Sequence, residues 1–359
     1  MITRKRLSQV SRIVIKLGTG VITNQSKQPD LPLMTHLARQ VSDLRALGKE
    51  VIIVTSGAVG AGRGVLGFEK RPKALAQLQA CAAVGQSRLM AIYEKLFSIY
   101  DLNIAQVLLT HDDLEDHSRY LNARNTLTSL LEHHIIPIIN ENDTVSVEEL
   151  RFGDNDRLSA LVSALLSADL LILLTTVDGL LQNFGTSEQK VISTVPEIDD
   201  SLHLLASGTS NDVAVGGMKT KILAAEVATR SGIPMIIANG REKDILLSLM
   251  EGKEIGTLFV PDEGRLPGRK RWIAFFNHPK GSLVVDKGAE EALIRKGKSL
   301  LFPGIQSVHG CFEEGDVVSI SDTNNREFAR GIVEVSSQEL ISNEIPEDEV
   351  IHRNNMVIL

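Results

Sequence analysis

The sequence predicts an α/β protein, a mostly parallel central sheet between helix layers, followed by a small mainly-β domain. Two observations carry this. From Arg12 to about Gly240 the chain repeats a short apolar run rich in β-branched residues, a polar or glycine-rich turn and a helical pattern, and the runs are continuously apolar rather than alternating. Parallel strands covered by helices on both faces read this way. Beyond about Pro279 the runs shorten and alternate with turns, as in a compact β domain.

In open parallel sheets ligands bind beyond the carboxyl ends of the strands, so the residues after each run hold the interest. Ile13–Ile15 leads into Lys16, Gly18 and Gly20. A lysine ending a buried strand needs an anionic partner or a route to solvent. The glycines after it resemble a phosphate cradle, whereas the G-x-G-x-x-T order and the Thr55-Ser56 end of the second strand argue against a dinucleotide fingerprint. Val51–Val54 is followed by Thr55, Ser56, Gly57 and Ala58, which form either a carboxylate site or a tight strand-to-helix turn. Ile104–Leu109 precedes the stretch from His111 to His117, whose two histidines lie six apart and so share no helix face; a solvated helix start fits better than a metal site.

Ile135–Ile139 runs into Asn140, Glu141, Asn142 and Asp143, and Gly153, Asp154, Asn155 and Asp156 follow shortly after. These amides and carboxylates suit an ammonium group and an oriented Mg–nucleotide; alternatively Asp154 or Asn155 caps a helix beginning near Arg157. Leu170–Leu174 is followed by Thr175 and Thr176. Gly216, Gly217, Met218, Lys219, Thr220 and Lys221 open an alanine-rich helical pattern, and Met235–Ala238 is the last run. Paired glycines at a helix start let backbone N–H groups approach a phosphate, which the helix dipole favours, although an ordinary helix start with surface lysines reads the same. Gly297-Lys298-Ser299 is a decoy, because Ala292 stands where a phosphate loop needs glycine.

Between Gly252 and Lys280 three prolines accompany Arg265, Arg269, Lys270 and Arg271, the composition of a linker. The expected division is residues 1–260, a linker over 261–278, and a small domain over 279–359. At 359 residues and 43% hydrophobic composition, one large and one small core are expected. The net charge of −7 offers no general attraction to nucleic acid or anionic membrane. Cys81 and Cys311 form no pairing pattern, and neither an apolar leader after the basic start nor an 18-residue apolar run occurs, so a reducing, cytoplasmic location is expected.

No serine–histidine or cysteine–histidine pair stands out, and no general base. A carboxylate acceptor, with a reference pKa of about 4.3, needs none, because it attacks phosphorus already ionised. Transfer then depends on alignment and charge neutralisation, which lysines, glycine N–H groups and Mg²⁺ provide.

The ordered strings Ile15-Lys-Leu-Gly-Thr19, Val54-Thr-Ser-Gly-Ala58, Ala82-Ala-Val-Gly-Gln-Ser-Arg-Leu89, Leu96-Phe-Ser-Ile-Tyr100, Ile139-Asn-Glu-Asn-Asp143, Gly153-Asp-Asn-Asp156 and Gly216-Gly-Met218 resemble the amino-acid kinase superfamily, and within it the glutamate 5-kinase family, over nearly the whole chain. The resemblance implies phosphoryl transfer from ATP to L-glutamate with Mg²⁺ held mainly by the ATP phosphates, the first step of proline synthesis. Carried across by residue, Lys16 and Lys221 would neutralise the transferring phosphate and Asp156 would orient both. Ser56, Gly57, Ala58, Asp143 and Asn155 would hold glutamate, with Asn140 and Asp154 nearby. Lys16, Thr175, Thr176, Val215, Gly216, Gly217, Met218, Lys219, Thr220 and Lys221 would contact ATP.

The resemblance further implies feedback inhibition by proline, a homo-oligomer, and a glutamyl phosphate reductase that takes up the labile product. Val215, Thr176 and the stretch from Leu181 to Phe184 depart from the family's usual nucleotide-side residues. The small domain resembles a PUA domain. From Lys280 onward it carries eight basic against fourteen acidic residues, a net charge of −6, which disfavours RNA binding. The competing readings are another carboxylate or phosphate kinase of the same fold, or a non-catalytic RNA-binding or amino-acid-sensing protein.

Overall fold

A computed structural model describes residues 3–24, 28–146, 155–183, 186, 188–199, 201–203, 217–261, 268–276, 279–342 and 349–359. The chain divides into two compact units, Met1–Asp113 with Ser118–Arg265, and Leu114–His117 with Leu266–Leu359.

At the centre of the first unit, β1 (Arg12–Leu17) pairs in parallel with β2 (Glu50–Val54) and with β5 (Leu170–Thr175). Beyond β2 lie β4 (Ile136–Glu141) and the edge strand β3 (Ile104–Leu109), both parallel. Beyond β5 lies β9 (Met235–Asn239), also parallel; β10 (Thr257–Phe259) then runs antiparallel to β9 and carries β8 (Thr194–Val195) at the far edge. All six apolar runs read from the sequence lie in these parallel strands, apart from Ile135, which precedes β4. The short β8 and β10 carry too few residues for a periodic signal, as does the two-residue hairpin of β6 (Leu181–Gln182) and β7 (Lys190–Val191).

Register decides what meets at the carboxyl edge. Lys16 lies level with Val54 and Leu173, and Ile139 with Val54, so Thr55, Asn140 and the β5 end emerge side by side. The helices of this unit include α1 (Thr19–Ile22), α2 (Leu31–Ala46), α3 (Ala58–Arg63), α4 (Leu75–Ser98), α7 (Asn155–Leu165), α8 (Met218–Arg230) and α9 (Ile245–Met250), with most of α5 (His111–Glu115) and α6 (His117–Glu132), whose Leu114, Glu115 and His117 fall in the second unit. Asp30 caps α2 by accepting from the Leu33 N–H, and Met34, Leu37, Ala38, Val41 and Leu44 form its buried stripe against Ile13, Ile15 and Ile53 of the sheet. Helix α7 is buried on almost every side; its Ser159 and Ser163 hydroxyls donate to backbone carbonyls within the helix, which lets them enter the core.

In the second unit, β13 (Ile305–Gly310), β11 (Gly281–Val285), β14 (Val317–Ser321), β15 (Glu327–Ile332) and β17 (Met356–Ile358) form a sheet in that order, parallel only between β11 and β14. A second pair joins β12 (Leu300–Leu301) to β16 (Glu349–Ile351). Leu283, Val285, Phe312, Val318, Ile320 and Ile351 centre the core. The segment read as a linker contains α10 (Gly268–Arg271) and a wide helical turn at Trp272–Phe276, where Trp272, Ile273, Ala274 and Phe276 are buried. Five consecutive apolar side chains, four of them buried, give this stretch something to bury despite its basic flank. Helix α11 (Lys287–Lys296) ends at Gly297 with φ 57°, so Gly297-Lys298-Ser299 is a left-handed helix exit and not a phosphate loop. Helix α12 (Ser337–Ser342) completes the unit. Among the described residues, no helix is long and apolar enough to cross a membrane.

Candidate active site

Lys16 is the penultimate residue of β1, at the sheet's carboxyl edge, and its ammonium pairs with Oδ1 of Asp156 in the first turn of α7. Lys221, in the first turn of α8, meets the other oxygen of the same carboxylate at 2.8 Å, and the Thr220 hydroxyl donates to that oxygen at 3.3 Å. All three ionic side chains are nearly buried, Asp156 completely and each lysine with 7% of its surface left. Burial alone would raise the Asp156 carboxyl pKa, but the Lys16 and Lys221 ammonium groups outweigh it and hold the group well below the usual carboxylate range. The cluster is therefore two cations around one anion, a net charge of +1 in a site shielded from water. Both Asp156 oxygens are occupied by ammonium groups, so the cluster suits an anionic ligand better than a bare cation. Among the described residues, no three histidine, cysteine or acidic side chains are grouped to hold a metal ion.

A second cluster lies at the ends of β2 and β4. The Asn155 carboxamide donates through Nδ2 to the Thr55 carbonyl at 2.7 Å, to Asn140 Oδ1 at 2.9 Å and to Ser56 Oγ at 3.0 Å. Ser56, Asn140 and Asn155 are all buried. Gly57 follows with φ 95° at the N-cap of α3, a left-handed turn that glycine adopts without strain, and Ala58 is the first residue of that helix. Asn155 and Asp156 are adjacent on α7, which ties the amide cluster to the ionic one. Asp143 lies half-buried in the turn after β4.

On the other flank, the Gly18 N–H donates to the Leu174 carbonyl at 3.1 Å, and a Cβ on Gly20 would stand 2.8 Å from the Thr176 methyl carbon. Glycine at position 20 thus lets α1 lie against the end of β5, where Thr175 is partly buried and Thr176 exposed. Gly217 caps α8 with open space where a Cβ would be; Met218 and Thr220 are half-buried and Lys219 is exposed. Asp154, Val215, Gly216 and Phe184 lie outside the described residues. The stretch from His111 to His117 forms two helix starts, with Thr110 and Asp113 exchanging hydrogen bonds as a capping pair.

Two residues at the amide cluster escape a reading of strand ends. Gln86 Oε1 accepts from Asn140 Nδ2 at 2.8 Å, and the Tyr93 hydroxyl bonds Thr55 Oγ1 at 2.7 Å. Both lie mid-helix in α4, and only the string Ala82 to Leu89 marked the first of them.

Two lysines around one carboxylate beside a helix N-terminus, at the carboxyl edge of a parallel sheet and next to a cluster of amides, are the arrangement expected of a small-molecule phosphotransferase. Residues 11–239 match the amino acid kinase family and residues 281–344 the PUA domain. The chain is 47% identical to the glutamate 5-kinase of Geobacter sp. (strain M21), covering 99% of this chain and 100% of that protein. It is 46% identical to the glutamate 5-kinase of Moorella thermoacetica, covering 99% and 98%. The chain belongs to the glutamate 5-kinase family of amino acid kinases. In fold it is similar to the carbamate kinase of Giardia lamblia, with a TM-score of 0.50 and 16% identity over 71% of this chain and 100% of that one.

Proposed function

We propose that this protein transfers the γ-phosphoryl group of ATP to the side-chain carboxylate of L-glutamate, giving L-glutamyl 5-phosphate and ADP, the step that opens proline biosynthesis. The observation that carries the reading is the buried Lys16–Asp156–Lys221 cluster. A carboxylate oxygen forms the new P–O bond while the bond from phosphorus to the ADP oxygen breaks, and no proton moves, since the acceptor is already ionised. Lys16 and Lys221 neutralise charge spread over the transferring group, and Asp156 holds both their ammonium groups in place. The N-terminus of α8, with Gly217, Met218, Lys219 and Thr220, offers backbone N–H groups and the positive end of its dipole to the nucleotide phosphates. Mg²⁺, carried mainly by those phosphates, supplies further charge neutralisation when bound.

Ser56, Gly57, Ala58, Asn140, Asp143 and Asn155 form the glutamate side of the site, and Thr175 and Thr176 the nucleotide side. The reading assigns both substrates to residues 1–260 and leaves residues 279–359 as an appended module. Inhibition by proline, assembly into a homo-oligomer and onward reduction of the acyl phosphate by a partner enzyme belong to the same proposal. The test is purified protein with Mg-ATP, hydroxylamine and a panel of acids, because hydroxylamine traps acyl phosphates. A hydroxamate from L-glutamate supports the reading; product from aspartate or N-acetylglutamate but none from glutamate overturns it.

A further inference from the structure

Helix α4 carries two polar side chains, Gln86 and Tyr93, seven residues apart and hence on one face, with 8% and 3% of their surface exposed. Each reaches a different end of the acceptor cluster. From one side runs Gln86 Oε1, Asn140 and Asn155; from the other, the Tyr93 hydroxyl and Thr55, whose carbonyl also accepts from Asn155. The chain of donors has a fixed direction. With its amide reversed, Asn140 would set Nδ2 against Asn155 Nδ2, donor against donor, so the Gln86 oxygen holds Asn140 in the orientation that receives Asn155. Nε2 of Gln86 is buried and finds no partner among the described residues, an arrangement that packing alone does not reward.

A second observation explains how α4 comes close enough. A Cβ on Gly85 would fall 1.7 Å from the Ala58 carbonyl oxygen, and one on Gly62 1.9 Å from that of Cys81. Helices α3 and α4 therefore cross backbone against backbone. The residue after Gly85 is Gln86, and α3 is the helix that leaves Ser56 and Gly57.

We propose that Gln86 and Tyr93 are positioning residues of this kinase: buried on α4, they set the orientation of the Asn155 carboxamide and thereby the affinity for the acceptor acid, without touching either substrate. This rests on the reading of Ser56, Asn140 and Asn155 as the acceptor side. Gln86→Met keeps the side-chain length and removes the acceptor oxygen; Tyr93→Phe keeps the ring and removes the hydroxyl. The expected result is an acceptor KM raised about tenfold by the first and about threefold by the second, a loss of roughly one modest hydrogen bond each. The KM for ATP should stay within about twofold and kcat within about threefold, by the same reasoning. In an Asn140→Ser background, Gln86→Met should add nothing further, since its effect passes through Asn140.

The upward shift of melting temperature by the acceptor alone, without nucleotide, gives a second readout and should need correspondingly more acid in each variant. An unchanged acceptor KM in both variants, or ATP and acceptor KM values rising together, overturns the proposal. If Gln86→Met does not fold, Tyr93→Phe decides by the same criteria. Should the wild-type enzyme use another acid instead of glutamate, the functional reading fails while the same KM ratios, measured with that acid, still decide on Gln86 and Tyr93.

Discussion

Replacing Asp156 by asparagine tests the centre of the site. The amide keeps one oxygen, which can accept from Lys16 or Lys221 but not from both, and sets Nδ2, a donor, against the other ammonium. The amide is neutral, so both buried lysines, each with 7% exposure, lose their counter-charge, and one of them also faces a donor. Breaking a buried ion pair by removing one partner costs about 3–5 kcal/mol. At roughly 2–4 °C per kcal/mol for a domain of this class, the melting temperature should fall by roughly 6–20 °C. With the lysines no longer fixed, kcat in the hydroxamate assay should fall by about 10²–10³-fold, the usual effect of losing one preorganised transition-state contact. ATP should recover part of the thermal loss, because its phosphates bring negative charge back to the two ammonium groups. The pH dependence has a defined sign. The Asp156 carboxyl is held below its ordinary value in the folded protein, so its contribution is fully present above the unfolded value of about 3.9 and is lost as pH falls from there through the folded value. The stability gap between wild type and Asp156→Asn should thus stay constant from pH 8 to about 5 and close only in stronger acid. A variant with wild-type melting temperature and turnover would refute the reasoning.

Further outcomes follow from the same geometry. Lys16→Ala and Lys221→Ala should each lower kcat by about 10²-fold or more in the hydroxamate assay, with circular dichroism unchanged; wild-type turnover in both would remove them from the chemistry. Gly57→Ala places a side chain at φ 95°, with its Cβ 3.0 Å from Ile22 Cδ1. It should cost about 1–2 kcal/mol in denaturant unfolding and weaken acceptor binding by displacing Ser56. Leu283→Ala, fully buried in the second unit, should destabilise by about 2–5 kcal/mol. If the two units are energetically separate, kcat should be unaffected, as steady-state assay below the melting transition will show.

Much of this was open to reading along the chain. Unbroken apolar runs such as Val51–Val54 and Leu170–Leu174 can be buried only on both faces, so the parallel sheet is written in local composition. Lys16 signalled a partner by standing at the end of a buried strand, since a lone ammonium there is too costly. Glycine at position 20 marked a close approach and glycine at position 57 a left-handed turn, whereas Gly217 stands in open space. The basic residues and prolines around Pro267 read as a linker, yet Trp272, Ile273, Ala274 and Phe276 shortly after it are buried in a helical turn.

What no local pattern holds is the meeting of distant residues. The partner of Lys16 is 140 positions away and that of Lys221 is 65, brought together because β1, α7 and α8 converge at one sheet edge. Gln86 and Tyr93 look like ordinary positions of an amphipathic helix until Gly62 and Gly85 let two backbones touch and register sets Asn140 level with Thr55. The sequence by itself determined the layers and the chemical character of each strand end, because burial and backbone conformation act over a few residues. Only the tertiary structure decided which strand ends share a charge and which share a hydrogen bond, because those choices depend on strand order and register.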